Sequence, residues 1–567
     1  MVGLVVVALL VALGAGGCSQ IPTSSTPIIV GNAPTADPGN AGAPLTVLGP
    51  EKGASTTEVV RGFLDALVSN DPTFEKAREF LTPDAAKDWQ PGSSVSIIDS
   101  LSSIQQNGAQ ERVVTFSGVS NAVVDSQGVF RNNSAPINRD YTLNKIDGQW
   151  RITNPPDTLP MTRSDFDLVY SRATLYFVDP TGTRVIPDLR YFPQNYKQRA
   201  NTLIEGLITG PSDALAAGVR NELASPIKLK TGVVSEDSGE LQIDLTGMPD
   251  KNGAQLRALS AQILWTLRDI SVKSVRITVD GQPLDVPGVS SSQTPADWES
   301  YDPDAFGVNL TGYYLAGGAV FDQYGAPLPG PAGSVASAIS SAAISVDATE
   351  FAGITSTPAG PEIVAGSVAG PIVPIALPGT TSLSTPSWGG QNDEFWVVRN
   401  GTDIVRVPVK GQPSLVAMPD RGDILTISSL RLSRDGTRAA IIGQTTKGPH
   451  LYLATVIRDT TGVSLGGAVP LAADLTVSSV TWLNSTTLLF FGDDGPRSVP
   501  YRIPIDDSTR SSFVVPLFSG RAISIAAAPN RTVLCAGDGT VLQLVGSTWV
   551  SLITGKIVSG SNPFYPG

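Results

Sequence analysis

Side chains able to act as nucleophiles, general bases or metal ligands are scarce in this chain. It contains one histidine, His450, and two cysteines, Cys18 and Cys535. One histidine cannot form a histidine-based metal cage, and a Ser-His-Asp triad would rest entirely on His450, which no G-x-S-x-G motif accompanies. We therefore predict no catalytic residue, no metal site and no cofactor. We expect His450 to fill a structural position in the strand-like run KGPHLYLA.

The two cysteines lie in different kinds of sequence. Cys535 is part of the apolar run TVLCAG, where cysteine usually serves as a small buried hydrophobic residue. Cys18 follows residues 1–17, an apolar and glycine-rich run that ends in small residues, as signal peptides do before their cleavage site. A cysteine directly after such a site resembles a bacterial lipoprotein signal. The sequence thus predicts a signal peptide over 1–17 and lipidation of the Cys18 thiol. A transmembrane anchor is the alternative, although about 17 residues is the shortest length at which a helix can span a membrane.

Two pairs of carboxylates could be mistaken for catalytic or metal-binding groups. Asp244 and Asp280 each end a strand-like run, where aspartate most often forms a turn. Asp493 and Asp494 in FGDDGPR could offer oxygen ligands to Ca²⁺. A solvated hairpin between two strands is the favoured interpretation of that second pair.

Composition narrows the classes of function. The chain has 567 residues and a formal net charge of −12, so nucleic acid is not an expected partner. Charged residues make up only 16% of it, against about 25% in average soluble domains, and glycine (57) and proline (44) are abundant. These values favour several turn-rich domains, carried on a proline-rich tether over residues 18–50.

The first predicted domain covers residues 51–157. Ser55 and Glu58 have the spacing of a helix capping box, and apolar residues follow at helical intervals. A second helix is predicted over Pro72–Leu81. The apolar period then changes to two, and Asp147-Gly148 indicates a hairpin. Helices followed by a curled antiparallel sheet resemble the NTF2-like cone, an α+β fold.

The second predicted domain, residues 158–288, alternates strands with helices. Its phrases LYFVD, LIEGLITGP, LQIDLTG and SVRITVDGQPL resemble the GerMN (spore-germination) domain. That resemblance implies an α/β fold with no established catalytic residues. A polar linker is predicted over residues 289–309, with Asp302 and Asp304 facing solvent.

The last predicted domain, residues 310–567, carries a weak repeat of strand-turn-strand phrases. They begin roughly 43 to 50 residues apart, the interval of four-stranded propeller blades. The phrase LSRDGTRAAII resembles a blade of TolB-like propellers, and we predict an all-β propeller of five or six blades. The run Gly312–Leu315 is expected to complete the last blade and so remove an open sheet edge.

The order of these domains, with the phrases GPEKGAS, VVRGFL and REFLTPDAAKDWQPG, resembles the actinobacterial LpqB lipoproteins along essentially the whole chain. The resemblance implies a non-enzymatic lipoprotein held on the extracytoplasmic face of the cell membrane. It implies a partner as well, the extracytoplasmic domain of an MtrB-like sensor histidine kinase in an MtrA–MtrB two-component system. Envelope homeostasis and cell division would depend on that contact.

An envelope glycan-binding or glycan-hydrolysing lipoprotein is the alternative function, because two carboxylates suffice for glycosidase chemistry. No acidic pair set among aromatic residues in one phrase supports it. Trp388 and Trp396 fall instead at strand positions of a predicted blade.

Overall fold

The computed structural model describes residues 48–567, apart from 70, 72, 93, 100–102, 108–111, 195–197, 236–238, 495–496 and 521. Within these residues no helix combines the length and apolar character needed to cross a membrane. Short 3₁₀ helices cover Pro295–Tyr301, Pro331–Gly333 and Val335–Ser337. The α-helices are α1 Thr56–Ala66, α2 Glu75–Arg78, α3 Pro83–Asp88, α4 Arg163–Val169, α5 Arg199–Thr209, α6 Asp213–Ala216 and α7 Gly253–Leu267.

The strands fall into three groups along the chain. The first two groups are β1 Ser94–Ile98, β2 Ser103–Gln106, β3 Val113–Asp125, β4 Phe130–Ile146, β5 Gln149–Ile152 and β6 Thr158–Thr162, then β7 Tyr170–Val178, β8 Val185–Pro193, β9 Lys228–Leu229, β10 Val234–Ser235, β11 Glu240–Thr246, β12 Ser274–Val279, β13 Gln282–Pro283 and β14 Ser292–Gln293. The third group is β15 Tyr313–Ala316, β16 Ala319–Asp322, β17 Ile339–Ile344, β18 Glu350–Thr357, β19 Gly360–Ser367, β20 Ile372–Ile375, β21 Ser387–Trp388, β22 Glu394–Arg399, β23 Asp403–Pro408, β24 Ser414–Leu415, β25 Thr426–Leu432, β26 Arg438–Thr445, β27 Gly448–Asp459, β28 Gly462–Leu465, β29 Val469–Leu471, β30 Thr476–Asn484, β31 Thr487–Asp494, β32 Arg497–Pro504, β33 Ser511–Ser512, β34 Ala522–Ala526, β35 Leu534–Gly537, β36 Thr540–Val545, β37 Thr548–Ser551 and β38 Ser561–Phe564.

The N-terminal domain packs its helices against a sheet of strand order β5-β4-β3-β1-β6. The predicted capping box at the start of α1 is present, since Ser55 Oγ accepts from the Glu58 N–H and the Glu58 carboxylate accepts from the Ser55 N–H. Asp147 and Gly148 both have positive φ, as the predicted hairpin between β4 and β5 requires. The long β3–β4 pair supplies the sheet face on which the core closes.

Two local predictions for this domain were wrong. The helix expected over Pro72–Leu81 is limited to α2, because Phe74 has a φ of 52° and so cannot continue a right-handed helix. Residues 158–169 belong to this domain and not to the next one. Strand β6 pairs in parallel with β1, and Phe166 and Val169 of α4 lie in the N-terminal core.

The middle domain pairs β7 with β8, packs α7 against these two strands, and contains a separate sheet in which β11 and β12 run parallel. Its core extends beyond the predicted boundary at residue 288. The 3₁₀ helix over Pro295–Tyr301 buries Trp298 completely, and the Trp298 carbonyl accepts from Trp265 Nε1 of α7 at 2.9 Å. The segment 289–309, predicted as a polar linker, is therefore partly built into the middle domain.

The C-terminal region consists, over the described part of residues 313–564, of six successive antiparallel sheets, most of them four-stranded. Strands β17, β21, β25, β30 and β34 open five of these sheets, and each of them contacts the next. Strand β38, close to the chain end, contacts β34 and pairs with β15, which contacts β17. The pairing of β15 with β38 joins the two ends of the region, as predicted for the run Gly312–Leu315.

Candidate functional site

The middle domain is joined to the propeller-like region by polar contacts between residues far apart in sequence. Arg184 Nη1 donates to the Arg434 carbonyl at 2.9 Å, and Arg438 Nη2 donates to the Pro187 carbonyl at 2.5 Å. Thr455 Oγ1 donates to the Ala214 carbonyl at 2.6 Å. The residues involved lie on β26 and β27 or in the turn before β26, so one face of the third sheet of the region carries most of this contact.

The N-terminal domain reaches the same region by a second route. Asn132 Nδ2 donates to the Asp507 carboxylate at 2.7 Å, and Arg163 Nη1 donates to the Ser508 carbonyl at 3.0 Å. Asp507 is fixed from its own side as well, because its carboxylate accepts from the Ala472 N–H at 3.1 Å. The described domains thus form one compact unit, in which both preceding domains contact the propeller-like region.

A cavity of about 1190 Å³ lies where these three domains meet. Its walls contain apolar residues such as Phe130 and Leu453, and charged residues contributed by each domain, among them Arg131, Asp188 and Arg438. The volume is slightly above the roughly 300–1,000 Å³ of typical small-molecule sites, so the space is large enough for such a ligand. We name this space the junction cavity.

An ion pair at 2.7 Å, almost fully buried, stands in the wall of the junction cavity. Arg190 Nη2 donates to Asp188, and the Asp188 carboxylate also accepts from the Ser212 N–H and hydroxyl at 2.8 and 3.0 Å. Arg190 Nη1 donates to the Gln127 carbonyl of the N-terminal domain at 2.8 Å. This pair therefore ties two domains together. Several hydrogen bonds support its buried charges, although Arg190 Nε has no partner among the described residues.

Electrostatics at the junction is dominated by desolvation. Burial raises the pKa of Asp506 despite the bonds from Ser508, and burial likewise raises the pKa of Asp507. Burial lowers the pKa of the Arg438 guanidinium. The described residues lining the cavity include no cysteine or histidine. The arrangement can bind a polar ligand and fix the domains relative to one another.

Asp304, predicted to face solvent, is instead a half-buried contact residue that is largely desolvated. Its carboxylate accepts from the Ser485 N–H at 2.5 Å and from the Ser485 hydroxyl at 2.9 Å. Burial raises the pKa of Asp304 to about 6, which the Ser485 bonds oppose and the neighbouring Asp302 and Asp435 carboxylates reinforce. The sequence could not indicate this role, because Ser485 lies 181 residues further along the chain.

The other residues singled out from sequence take positions across the chain. Cys535 is fully buried on β35, as predicted, and burial raises the pKa of its thiol. His450 lies on β27 opposite Gly443 and is half-buried, with no hydrogen-bond partner for its ring among the described residues. Cys18, the predicted lipidation site, lies outside the described residues.

The two carboxylate pairs are separate from the junction. Asp244 accepts from Thr278 Oγ1 at 2.7 Å and from the Gly281 N–H at 2.9 Å, and the Gly281 bond contributes most to lowering the pKa of Asp244. Asp280 has a φ of 50° in the adjoining turn, which is the predicted turn-forming role. Asp493 lies on β31, where its carboxylate accepts from the Ser498 hydroxyl of β32, within the hairpin favoured from sequence.

Sequence reasoning missed the charged residues of the junction. Asp188 and Arg190 occur in the otherwise apolar run VIPDLRYF, and Arg438 begins the apolar run RAAII. Charged residues inside strands that are expected to be buried signal a need for partners. The sequence therefore indicated that these charged residues need partners, but it did not indicate which residues those partners are.

Family models match three successive parts of the chain. Residues 49–167 match the model described as "Lipoprotein LpqB, N-terminal domain", residues 174–285 match "Sporulation and spore germination", and residues 319–566 match "Lipoprotein LpqB beta-propeller domain". These ranges agree with an N-terminal domain that extends past residue 157. They support a GerMN-like middle domain and a propeller-like C-terminal region.

Among solved structures, the tandem GerMN domains of the sporulation protein GerM from Bacillus subtilis are 22% identical and cover 26% of this chain and 56% of that one, with a TM-score of 0.20. A chain of a nidogen/laminin complex is 11% identical and covers 46% of this chain and 94% of that one, with a TM-score of 0.32.

Curated relatives match over most of their length. The lipoprotein LpqB of Rhodococcus opacus (strain B4) is 31% identical over 516 residues, covering 85% of this chain and 84% of the relative. The lipoprotein LpqB of Mycobacterium leprae (strain TN) is 29% identical over 611 residues, covering 100% of both. From this similarity and the family models, the chain belongs to the LpqB lipoprotein family.

Proposed function

We propose that this protein is a non-enzymatic regulator, lipid-anchored on the extracytoplasmic face of the cell membrane, that binds the extracytoplasmic domain of an MtrB-like sensor histidine kinase. Modulation of the two-component system would then affect envelope homeostasis and cell division. Membership of a lipoprotein family supports the anchor. The kinase as partner rests on the resemblance stated above.

The observation that carries the proposal is the polar attachment of both preceding domains to the propeller-like region. A regulator that presents a surface to a membrane-bound partner needs that surface held at a defined height and orientation. Bonds such as Asn132–Asp507 and Thr455–Ala214 supply this, because they leave little freedom between the domains. A shared membrane would raise the effective concentration of both partners, so modest affinity suffices.

The direct test is binding between residues 48–567 and the purified kinase domain. We expect a micromolar dissociation constant that weakens as salt rises from about 0.05 to 0.5 M, because the acidic chain would meet a basic patch on the kinase. An unrelated extracytoplasmic domain of similar net charge serves as the control. Binding that is absent at high micromolar concentration, or equal for the control, would refute the kinase partner.

Deletion of residues 310–567 is a poor test in cells, since it would leave Asp304 and the carbonyls that Arg531 binds without partners. Kinase output should instead be compared between the wild-type protein and the Cys18→Ala variant at equal protein level. We expect output to change when the anchor is lost, although binding of the isolated soluble region stays the same.

The fold supports two finer assignments. We propose that the N-terminal domain is an NTF2-like cone, since helices precede a long antiparallel sheet. We also propose that each of the six C-terminal sheets is one blade of a closed propeller, since β38 pairs with β15.

The glycan alternative receives little support from the aromatic residues. Trp388 and Trp396 are 1% and 0% exposed, so neither ring can stack on a sugar at the surface. Zymography on peptidoglycan separates the two functions, because a clearing zone produced by the purified protein would favour the glycan hydrolase.

A further inference from the structure

A second, smaller cavity lies in the propeller-like region, among the strands that open four of its sheets. Its volume is about 50 Å³, which exceeds the roughly 10–15 Å³ that one water needs and leaves room for a few waters or one small ion. Strands β21, β25, β30 and β34 line it, together with residues 563–567 at the end of the chain. We name this space the axial cavity.

Arg431 of β25 presents an uncompensated guanidinium to the axial cavity. Among the described residues, its one side-chain hydrogen bond runs from Nη1 to the Pro386 carbonyl at 3.2 Å. Arg431 is half-buried and lines the axial cavity, and none of its side-chain nitrogens is both fully buried and without a hydrogen-bond partner. Burial lowers the pKa of Arg431 to about 10, with no carboxylate acting against that effect.

A second arginine makes the charge imbalance larger. Arg434 also lines the axial cavity and is 7% exposed; its Nη1 donates to the Pro566 carbonyl, and its Nε has no partner among the described residues. The described lining residues carry no carboxylate side chain, and the one carboxylate in the wall is the main-chain carboxylate of Gly567, which lies beside Arg434. Asp304 acts on Arg434 electrostatically from outside this lining.

A buried arginine elsewhere in the molecule has a counter-charge. Arg190 is 1% exposed and forms an ion pair with Asp188. Such pairing is the ordinary solution, because an unpaired buried charge is strongly unfavourable. The contrast indicates that the positive charge in the axial cavity is balanced by something other than a side chain of the described residues.

Two hydroxyl groups complete a set of donors around the axial cavity. Ser387 Oγ accepts from the Leu432 N–H at 2.9 Å and retains its own proton for donation. Thr481 lines the cavity with a second hydroxyl. Two guanidinium groups outnumber the single carboxylate of Gly567, which lies on the Arg434 side, so the charge that remains at Arg431 suits an anion and repels a cation.

We propose that the axial cavity binds one small monovalent anion, of about the size of chloride, held by Arg431 and supported by the Ser387 and Thr481 hydroxyls. The bound anion would join β25 to the chain end that pairs with β15, and would thereby stabilise the closed arrangement of sheets. The proposal is independent of the kinase as partner.

Bromide provides the direct test, because it substitutes for chloride and gives an anomalous diffraction signal. Crystals of residues 48–567 grown with sodium bromide should show a peak within hydrogen-bonding distance, about 3.3 Å, of the Arg431 guanidinium. A cavity without an anomalous peak in well-ordered crystals would overturn the proposal.

Thermal unfolding provides the second test, with ionic strength held constant by sodium gluconate. Ligand stabilisation grows with concentration above the dissociation constant, so the Tm of the wild-type protein should rise by roughly 1 °C for each tenfold increase in chloride. Arg431→Met should abolish this rise. Arg502→Met, which replaces an exposed arginine on β32, should retain it. If Arg431→Met keeps the chloride dependence, or if the wild-type protein has none, the proposal is wrong.

Discussion

At the scale of single residues, the two cysteines form a matched pair for testing the lipid anchor. We expect Cys18→Ala to lose incorporation of a labelled fatty acid and to leave the membrane fraction, because two acyl chains at about 0.8 kcal/mol per buried CH₂ are what makes attachment stable. Cys535→Ala should keep the label, since Cys535 is fully buried on β35. Metabolic labelling with fractionation measures both. Label retained by Cys18→Ala would exclude this residue as the acylation site.

Asp304 predicts a pH dependence of stability whose sign is fixed by its raised pKa. The folded-state pKa of about 6 lies above the ordinary value of 3.8, so the folded protein holds the proton more tightly than the unfolded chain. The buried charge destabilises the fold above pH 6, and this effect disappears as the pH falls through 6 toward 4. The two values differ by about 2 units, which corresponds to at most about 3 kcal/mol.

Replacement of Asp304 by asparagine should remove that dependence. We expect Asp304→Asn to stabilise the protein relative to wild type more at pH 7.5 than at pH 4.5, by up to about 3 kcal/mol, because asparagine can still accept from Ser485 without a charge. Denaturant unfolding at both pH values measures the difference. Asp269→Asn, at a 75% exposed side chain, is the control and should show little change. A pH-independent effect of Asp304→Asn would contradict the assigned environment.

At the scale of elements, local signals predicted more than long-range ones. The capping box of α1 and the Asp147-Gly148 hairpin were predictable because all of their determinants lie within a few residues. Strand β6 was assigned to the wrong domain because its partner β1 lies more than sixty residues earlier, by the pairing of Ser94 with Thr158. The hydrophilic composition around residue 298 likewise predicted a linker and gave no indication that Trp298 is buried.

The segment 289–309 should resist protease, contrary to what its polar sequence suggests. Trp298 is fully buried, and Arg531 Nη2 donates to the Gly307 and Val308 carbonyls at 3.1 and 2.9 Å. Cleavage needs local opening, which these contacts oppose. Limited digestion with chymotrypsin, followed by mass spectrometry, should leave the segment intact while other sites are cut.

Arg531→Met tests the reason for that resistance. Loss of the bonds to the 307–310 carbonyls should accelerate cleavage in this segment several-fold, whereas Arg502→Met should not alter it. Early cleavage within 289–309 in the wild-type protein would mean that the segment acts as a linker after all.

At the scale of the whole molecule, the question is whether the three domains unfold as one. The middle domain packs closely against the propeller-like region at Gly218, which is buried. A Cβ atom placed on Gly218 would lie 2.5 Å from Thr455 Cγ2 and 3.0 Å from the Val456 carbonyl oxygen. No side chain fits there without separating the two surfaces. The contact between the two domains, which includes the Thr455–Ala214 hydrogen bond, therefore requires glycine at this position.

Gly218→Leu should act as a wedge between the two domains. We expect calorimetry of residues 48–567 to show one main transition for the wild-type protein, because the domains share buried polar contacts, and separate transitions or a loss of several degrees for Gly218→Leu. Ala217→Leu adds a side chain of the same size at the neighbouring exposed position and should leave the profile unchanged. Separate transitions in the wild-type protein would show that the contacts do not couple the domains. The fixed presentation on which the proposed regulation depends would then have to come from the partner.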